Sequence, residues 1–308
     1  MAKIQKVEKI WFDGKMVNWE EAKVHILTHT LHYGLGVFEG IRAYECADGT
    51  TAIFRLTDHI DRLFDSAHAM TLEIPHNKGS IIQACKDVMR VNKLAHGYLR
   101  PIAFLGYGEM GLYAQGNPVQ TAVIAWPWGT YLGEEGLKKG IRAKISSMAR
   151  SHVNVLLTKT KTVGNYVNSI LAKREALAAK YDEAILLNTS GHVCEATGEN
   201  IFIVKNGEVR TPNPGSAILK GITRDAVMQI LKDEGISCRE DVLTRDDLYI
   251  ADECFLTGTA AEITPVREVD DRSIGAARPG PITQKVQSIF FDIVKGKNKK
   301  YRKWLEVI

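Results

Sequence analysis

The sequence lacks the features that mark several large classes of protein. Its five cysteines are widely spaced and form no Cys-x-x-Cys pair, so neither a zinc knuckle nor a redox motif is indicated. The N-terminus has no apolar core like that of a signal peptide, and no apolar run reaches the roughly 18 residues that span a membrane. We therefore expect free thiols, a cytoplasmic location and no membrane partner.

Charge of one sign is also scarce. The 308 residues are 25% charged and 45% hydrophobic, with a formal net charge of only +4, which is typical of a globular protein. The basic run from Lys295 to Lys303 fits either a solvated helix end or a nucleic-acid patch. No other charged block supports a polyanion partner, so we favour the helix end and expect no nucleic acid.

The apolar periodicity predicts an α+β chain of two domains separated by a cleft. Asp13-Gly14 lies between two short apolar runs and is typical of a type I′ hairpin. Helices are predicted at 57–71, with Thr57 as N-cap, and at 80–92, 168–180 and 225–234. Strands are predicted at 99–105, 121–126, 143–147, 183–187, 200–204 and 208–210. A Gly- and aromatic-rich stretch after residue 126 divides the chain into a small domain (1–126), a linker (127–137) and a large domain (138–308).

Two stretches contain ionisable side chains suited to chemistry. In TKTKTVGNYVNS, residues 158–169, either Lys159 or Lys161 could form a Schiff base with an aldehyde, although most lysines are merely solvated. In GHVCEATGENIF, residues 191–202, Glu195 lies in a Gly- and Thr-rich bend. Its carboxylate either holds a protonated ring nitrogen or is an ordinary surface charge.

Two further stretches offer backbone rather than side-chain chemistry. In LKGITRDAVMQIL, residues 219–231, a helix begins just after Gly221, and a helix start can bind an anion. The alternative is ordinary capping by Thr223. In FLTGTAAEITPV, residues 255–266, small side chains either let the backbone approach a ligand or form a tight turn.

Taken together, the four stretches resemble the fold-type IV enzymes that use pyridoxal 5′-phosphate (PLP). The order K-x-x-G-N-Y, E-x-x-x-E-N-I-F, K-G-I-T-R and T-G-T-A-A-E-I-T-P-V carries this resemblance. HTLHYGLGVFEGIRAY at 29–44, YLRP at 98–101 and WPWG at 126–129 are similar to the branched-chain aminotransferases in particular. The resemblance covers residues 10–291. It implies a small α/β domain and a larger domain with a pseudo-barrel core, with PLP between the two.

The resemblance also implies a role for individual cofactor-binding residues. Lys161 would hold PLP and act as the catalytic base and acid, Glu195 would pair with the pyridine nitrogen, and Tyr166 would contact the phenolic oxygen. The phosphate would be bound by the residues Arg62, Ile222, Thr223 and Thr259.

The substrate site is implied in the same way. Aromatic residues would surround a branched side chain, Tyr98 and the backbone of Thr259 and Ala260 would bind the α-carboxylate, and Arg100 would receive the distal carboxylate of glutamate. The aromatic wall and the glycine beside it comprise Tyr33, Phe38, Gly40, Trp128 and Tyr131.

The expected reaction is transamination of L-leucine, L-isoleucine and L-valine with 2-oxoglutarate, giving branched-chain 2-oxo acids and L-glutamate. The family also implies at least a homodimer and up to a hexamer. A D-amino acid aminotransferase is disfavoured because YLRP lacks that branch's histidine, and the aromatic wall and FEGIRAY disfavour an aminodeoxychorismate lyase. A relaxed-specificity transaminase and a non-catalytic PLP-binding protein remain alternatives. Four histidines in the N-terminal part have mixed spacings, so no metal site is expected.

Overall fold

The computed structural model describes residues 4–129 and 132–308. The chain forms two compact units. Unit 1 comprises the described residues of Met1–Gly129 with Thr160–Gly164 and Ile293–Ile308, and unit 2 comprises those of Thr130–Lys159 with Asn165–Asp292. These units differ from the predicted contiguous domains because two later segments pair with strands of unit 1.

The strands and helices follow one another in mixed order. The strands are β1 (Lys9–Phe12), β2 (Lys15–Asn18), β3 (Gly36–Phe38), β4 (Ile41–Glu45), β5 (Thr51–Phe54), β6 (Gly97–Leu105), β7 (Val119–Trp126), β8 (Ile141–Ile145), β9 (Glu183–Leu187), β10 (Val193–Ala196), β11 (Asn200–Lys205), β12 (Glu208–Pro212), β13 (Cys238–Asp241), β14 (Glu253–Gly258), β15 (Glu262–Val269), β16 (Arg272–Ser273) and β17 (Leu305–Val307). The helices are α1 (His29–Tyr33), α2 (Leu56–Ala69), α3 (Lys78–Val91), α4 (Gly133–Lys139), α5 (Tyr166–Ala178), α6 (Ile222–Asp233), α7 (Arg245–Tyr249) and α8 (Pro281–Val294).

Unit 1 is built on an antiparallel sheet in the order β17-β5-β4-β6-β7-β1-β2, with β3 also paired to β6. The predicted hairpin is confirmed: β1 and β2 pair around Asp13-Gly14, and both turn residues have the positive φ that a type I′ turn requires. The apolar faces of α2 and α3 pack on the sheet and supply much of the core. The sheet and these helices fix the positions of the side chains described below.

The start of α2 differs from the prediction. The N-cap is Arg55, with φ of +51°, and it makes no side-chain cap. Thr57 lies inside the first turn, where its N–H and hydroxyl donate to Glu306 Oε1 at 3.0 and 2.7 Å. The capping acceptor is therefore supplied by the C-terminal strand, a long-range contact that the local sequence does not reveal.

The C-terminal basic run is not a helix end. Helix α8 ends at Val294, and the chain continues through a 3-10 helix, Lys299–Trp304, into β17, which pairs with β5. Tyr301 and Trp304 are buried between exposed basic residues. These two aromatic anchors hold the tail on unit 1, so the prediction of a solvated helix end was wrong.

Unit 2 contains a mixed sheet in the order β10-β9-β8-β15-β14-β11-β12-β13, with β16 on β15. Strand β8 pairs in parallel with β9 and β15, whereas β11 pairs antiparallel with β12 and β14. The predicted strands at 183–187, 200–204 and 208–210 are confirmed with shifts of at most two residues. Helix α6 starts three residues before the predicted 225, directly after Gly221.

Across the described part of the chain, no helix is both long and apolar enough to cross a membrane.

Candidate active site

The segment that carries Lys161 is held by unit 1 on both sides. Phe38 N–H donates to the Lys161 carbonyl at 3.0 Å, and Lys161 N–H donates to Ser66 Oγ of α2 at 3.1 Å. Val37 and Thr162 form an isolated antiparallel bridge between the same two stretches. The backbone of Lys161 is thus fixed between β3 and α2.

The structure distinguishes the two candidate lysines. Lys159 is exposed and belongs to unit 2, whereas Lys161 is partly buried and belongs to unit 1. The Lys161 ammonium lies 5.1 Å from the centroid of the Phe38 ring. Partial burial and this ring contact distinguish Lys161 from the solvated Lys159.

Arg62 lies on α2 and is held by Glu39, a residue that the sequence analysis did not single out. Its Nε donates to Glu39 Oε1 at 2.7 Å and its Nη2 donates to Oε2 at 2.9 Å, a bidentate pair. Glu39 lies in the short gap between β3 and β4 and is fully buried. His59 Nδ1, one turn before Arg62, is 2.6 Å from Glu39 Oε2.

The electrostatics of this group follow from its burial. Burial alone would raise the pKa of Glu39, but the charge of Arg62 and the hydrogen bonds from Arg62 and His59 outweigh that effect and hold the pKa well below its usual range. Burial lowers the pKa of His59, and the charges of Arg62 and Lys161 lower it further against the opposing effect of Glu39. At neutral pH the group therefore contains a carboxylate, a guanidinium and a neutral imidazole. Because a carboxylate only accepts, Nδ1 of His59 carries the proton.

Aromatic rings and one cation form a wall in unit 1. The Tyr98 and Trp128 rings meet edge to face with centroids 4.5 Å apart, and Trp126 stacks on Trp128 at 5.8 Å. The Arg100 guanidinium lies 4.5 Å from the Phe38 ring centroid, and its Nη2 donates to Tyr98 Oη at 3.3 Å. The structure therefore brings together the predicted residues Phe38, Tyr98, Arg100 and Trp128.

Gly40 is required at the base of this wall. A Cβ at this position would lie 1.9 Å from Tyr98 Oη, far inside contact distance. The missing side chain lets the phenol lie against the backbone after Glu39. Nearby, Nε of Arg100 is buried with no hydrogen-bond partner in the described part of the chain, so the guanidinium has a donor that an anionic ligand can use.

One predicted wall residue that the structure describes is not part of this group. Tyr33 lies on α1, is 47% exposed, and its ring neighbours are His29 and His32. Tyr131 lies outside the described residues.

In unit 2, Glu195 is a buried carboxylate with three donors. Arg150 Nη2 lies 2.9 Å from Oε1, and Oε2 accepts from Leu219 N–H at 3.0 Å and from Asn200 Nδ2 at 3.3 Å. It belongs to β10, and is only 6% exposed. The predicted alternative of a surface turn glutamate is therefore wrong.

Asn200 connects Glu195 to the start of α6. Its Nδ2 also donates to the Leu219 carbonyl at 2.9 Å, and a Cβ on Gly221 would lie 2.1 Å from its Oδ1. Gly221 is the N-cap of α6 and provides no side-chain cap. Thr223 is the second residue of the helix and not its cap, so the first amides of α6 depend on a partner from elsewhere.

The remaining predicted residues lie at the ends of elements in unit 2. Tyr166 is the first residue of α5, next to Asn165. Thr259 and Ala260 are partly buried in the turn between β14 and β15. Ile222 and Thr223 are buried in the first turn of α6.

The known proteins that resemble this chain agree with its geometry. The family model for amino-transferase class IV matches residues 36–269. The chain belongs to the class IV aminotransferases.

Its relatives place it in the branched-chain group of that class. It is 50% identical to the branched-chain-amino-acid aminotransferase of Pseudomonas aeruginosa, over 97% of both chains. The crystal structure of the Escherichia coli branched-chain amino acid aminotransferase superposes with a TM-score of 0.96 at 44% identity, covering 98% of this chain and 99% of that one.

A third relative has been solved with ligands. The branched-chain amino acid aminotransferase of T.th. with pyridoxamine 5′-phosphate has a TM-score of 0.95 and 46% identity, over 98% of both chains. Its complexes with N-(5′-phosphopyridoxyl)-L-glutamate and with 4-methylvaleric acid each have a TM-score of 0.93 and 44% identity, over 98% of both chains. The fold is therefore that of fold-type IV, as expected, and the cofactor of this aminotransferase is PLP.

Each unit, taken by itself, contains groups that suit this cofactor. The start of α6 offers amide donors without a side-chain cap, which suits a phosphate. The buried Glu195 carboxylate suits a protonated ring nitrogen, and Lys161 suits an aldehyde. Among the described residues no group of three or more His, Cys, Asp or Glu could hold a metal ion.

Three residues of this aminotransferase that contact predicted ones were not themselves predicted. Glu39 and Asn200 both lie inside motifs that carried the resemblance, FEGIRAY and ENIF, but single polar residues beside apolar ones gave no sign of a role in the site. Arg150 follows β8 in a stretch with no recognisable motif. Only the fold shows that these residues contact predicted ones.

Proposed function

We propose that this aminotransferase transfers the amino group of L-leucine, L-isoleucine and L-valine to 2-oxoglutarate, giving branched-chain 2-oxo acids and L-glutamate. The observation that carries the proposal is the wall of Phe38, Tyr98 and Trp128 with the Arg100 guanidinium stacked on it. The rings offer apolar area to an aliphatic side chain at little entropic cost. The guanidinium offers a charge partner to the distal carboxylate of glutamate. The names of the relatives agree with this substrate class.

The reaction needs one proton to move at one carbon of the substrate. We assign that proton to Lys161, whose amine would take it from the substrate Cα, hold it, and then deliver it to the bound cofactor. Bound PLP supplies the electron sink that makes the Cα proton removable.

The other residues would hold the cofactor and orient it. Glu195 would accept a hydrogen bond from the protonated ring nitrogen, since Arg150 and two N–H donors keep its carboxylate in place. Arg62, Thr259 and the first amides of α6, at Ile222 and Thr223, would bind the phosphate. Tyr166 would donate to the phenolic oxygen.

Substrate carboxylates need donors of their own. We assign the α-carboxylate of the substrate to Tyr98 Oη and to the backbone amides of Thr259 and Ala260. We assign the distal carboxylate of glutamate to Arg100, whose buried Nε has no hydrogen-bond partner among the residues that the structure describes.

The test is a half-reaction followed by its reversal. Purified protein loaded with PLP is mixed with L-leucine, and the cofactor spectrum and the 2-oxo acid are followed. Added 2-oxoglutarate should restore the spectrum and release glutamate. A response to D-alanine with none to L-leucine would identify a D-amino acid aminotransferase instead. PLP binding without turnover of any amino acid would identify a non-catalytic binder.

We further propose that the chain forms a homo-oligomer, from a dimer up to a hexamer. Unit 1 exposes Leu31, Leu112 and Tyr113 at 59, 92 and 79%, and unit 2 exposes Val155 and Val167 at 72 and 60%. Large apolar side chains this exposed are common at subunit interfaces. Light scattering of the eluting protein measures the mass directly, and a value near 34.2 kDa would contradict the proposal.

We propose a cytoplasmic location because the cysteines are unpaired. All five are free thiols, and four of them are buried. Thiols that stay unpaired are expected in a reducing compartment such as the cytoplasm. Fractionation of cells that express the protein would test this location.

A further inference from the structure

Glu39 is a buried charge whose position is fixed by the backbone around it. It stands between β3 and β4, and its N–H donates to the Pro101 carbonyl of β6 at 2.8 Å. Its neighbours Phe38 and Ile41 pair with Ile102 and Leu99 of the same strand. The carboxylate therefore has little freedom to follow a moving partner.

Two side chains of α2 contact the Glu39 carboxylate, and the Gly40 N–H also donates to its Oε2 at 3.2 Å. His59 and Arg62 are three residues apart, so they lie on the same side of the helix. Arg62 uses its Nε–Nη2 edge, and this bidentate geometry fixes the plane of the guanidinium as well as its distance. The Arg62 side chain remains 15% exposed, while that of Glu39 is fully buried.

A role in stability alone explains this pair poorly. Taking a carboxylate out of water is costly, and apolar residues of similar volume often stabilise a fold as well as a buried ion pair does. What an ion pair adds is a defined geometry for its members. A guanidinium that is fixed beforehand loses less side-chain freedom when a ligand binds.

The same helix also fixes the segment that bears Lys161. Ser66, one turn after Arg62, accepts from Lys161 N–H, and Phe38, next to Glu39, donates to the Lys161 carbonyl. The phosphate arginine and the cofactor lysine are thus both held by β3 and α2.

We propose that Glu39 is a positioning residue for Arg62, and that it fixes the guanidinium in the orientation that binds the cofactor phosphate. This inference rests on the phosphate role proposed above for Arg62. In this role Glu39 would contact neither the substrate nor the cofactor. Its effect should depend on the phosphate of the ligand and on the presence of Arg62.

The experiment compares two ligands and four proteins. Wild type, Glu39→Gln, Arg62→Ala and the double variant are prepared without cofactor and titrated with PLP and with pyridoxal, which lacks the phosphate. Glu39→Gln should lower the affinity for PLP by roughly three- to tenfold, the effect of one side chain that must be ordered on binding. Its affinity for pyridoxal should stay within about twofold of wild type.

The double variant tests whether Glu39 acts through Arg62. If it does, Glu39→Gln should add no further loss of PLP affinity once Arg62 is absent. Equal losses for PLP and pyridoxal, or an undiminished effect in the Arg62→Ala background, would overturn the proposal.

A matched control separates positioning from general destabilisation. Glu183 is equally buried and pairs with Lys173 at 2.6 Å in unit 2. Glu183→Gln should lower the melting temperature but leave the ratio of PLP to pyridoxal affinity unchanged.

A second variant covers the case in which Glu39→Gln does not fold. Glu39→Asp keeps the charge, but its shorter side chain cannot contact both nitrogens of Arg62. It should show the same selective loss for PLP, and wild-type PLP affinity in Glu39→Asp would contradict the inference.

The proposed function is tested separately on the wild type. If wild type binds PLP without turning over L-leucine, the proposed function fails while the phosphate-dependent effect of Glu39 stands. If wild type turns over L-leucine and Glu39→Gln binds PLP normally, only the inference fails.

Discussion

At the scale of single residues, Lys161 and Lys159 form a matched pair. Lys161 lies beside the Phe38 ring, whereas Lys159 is exposed. Lys161→Ala should reduce turnover of L-leucine by at least the 10²–10⁴-fold typical of a general base, because no other group is assigned to the Cα proton. Lys159→Ala should keep near-normal turnover. Each rate is measured with saturating PLP, and substantial activity in Lys161→Ala would exclude Lys161 as the base.

Gly40 supports the aromatic wall by having no side chain. In Gly40→Ala the new Cβ would meet Tyr98 Oη at 1.9 Å, so the phenol must move. Overpacking of this kind typically costs 1–3 kcal/mol, and we expect a loss of about that size in unfolding free energy. The kcat/KM for L-leucine should fall as well.

The control for Gly40 is Gly129. A Cβ there would meet no atom of the described residues within 4 Å, and its φ is not positive. Gly129→Ala should change the unfolding free energy by less than about 0.5 kcal/mol, as is usual for surface substitutions. Equal effects of the two substitutions would show that the Tyr98 contact is unimportant.

The candidate site shows which of its residues could be predicted from the sequence and which could not. The four predicted residues Phe38, Tyr98, Arg100 and Trp128 do meet. Strand pairing places Phe38 of β3 beside β6, and β7 beside β6, so that Trp128, two residues after β7, reaches Tyr98. Glu39 and Arg150 were missed, because their importance depends on which cation or carboxylate lies opposite. That information belongs to the fold and not to the local sequence.

At the scale of elements, Glu306 of β17 supplies the hydrogen-bond acceptor that caps the start of α2. Its Oε1 accepts from Thr57, and its Oε2 lies 2.9 Å from Lys86 Nζ of α3. Because the N-cap residue Arg55 provides no side-chain cap, Glu306→Ala should cost about 1 kcal/mol, the usual effect of losing a cap.

A thermal melt checks this contact. For a chain of this size, 1 kcal/mol corresponds to a shift of about 2 °C. Lys303→Ala, at an exposed position before the same strand, should shift the midpoint by much less. If Glu306→Ala were fully additive with Thr57→Val, the contact would contribute nothing.

Elements whose apolar residues recur at a regular spacing were predictable from the sequence. Elements that are held by contacts with residues far away in the chain were not. The predicted bounds of β9 were exact, and those of α2, α3 and α5 lay within two residues of the structure. Helices α2 and α3 each have an apolar face that is visible in the local sequence. Strand β17 is only three residues long and follows a basic run. Its partner β5 lies about 250 residues earlier in the chain. The division into units was obscured for the same reason, since Thr160–Gly164 joins unit 1 by pairing with β3.

At the scale of the whole molecule, His59 should make stability depend on pH. Burial lowers its pKa from the usual 6.5, so in acid the unfolded chain takes up a proton that the folded chain does not. The unfolding free energy therefore falls as pH falls below 6.5, by up to about 1.4 kcal/mol per pH unit. The substitution His59→Gln removes this pH-dependent contribution to the unfolding free energy. Relative to wild type, the variant should gain stability between pH 7 and pH 5.5.

Glu199 should act in the opposite direction. Burial, with the nearby charge of Glu183, raises its pKa from 4.5 to about 8, against the smaller opposing effect of Lys173. Between these values the folded chain holds a proton that the unfolded chain lacks, so the unfolding free energy falls as pH rises. This contribution is fully present below pH 4.5 and is lost as the pH approaches 8.

Glu199→Gln mimics the protonated carboxyl and should not lose stability in this way. Relative to wild type, its melting temperature should rise between pH 5.5 and pH 8, whereas that of His59→Gln should show no such gain. Because the two variants serve as each other's control, a buffer effect common to both cancels in their difference. Parallel curves for wild type and Glu199→Gln over this range would mean that Glu199 is already ionised in the folded chain. In that case its negative charge would have to be accommodated beside Glu183 with Lys173 as the neighbouring cation.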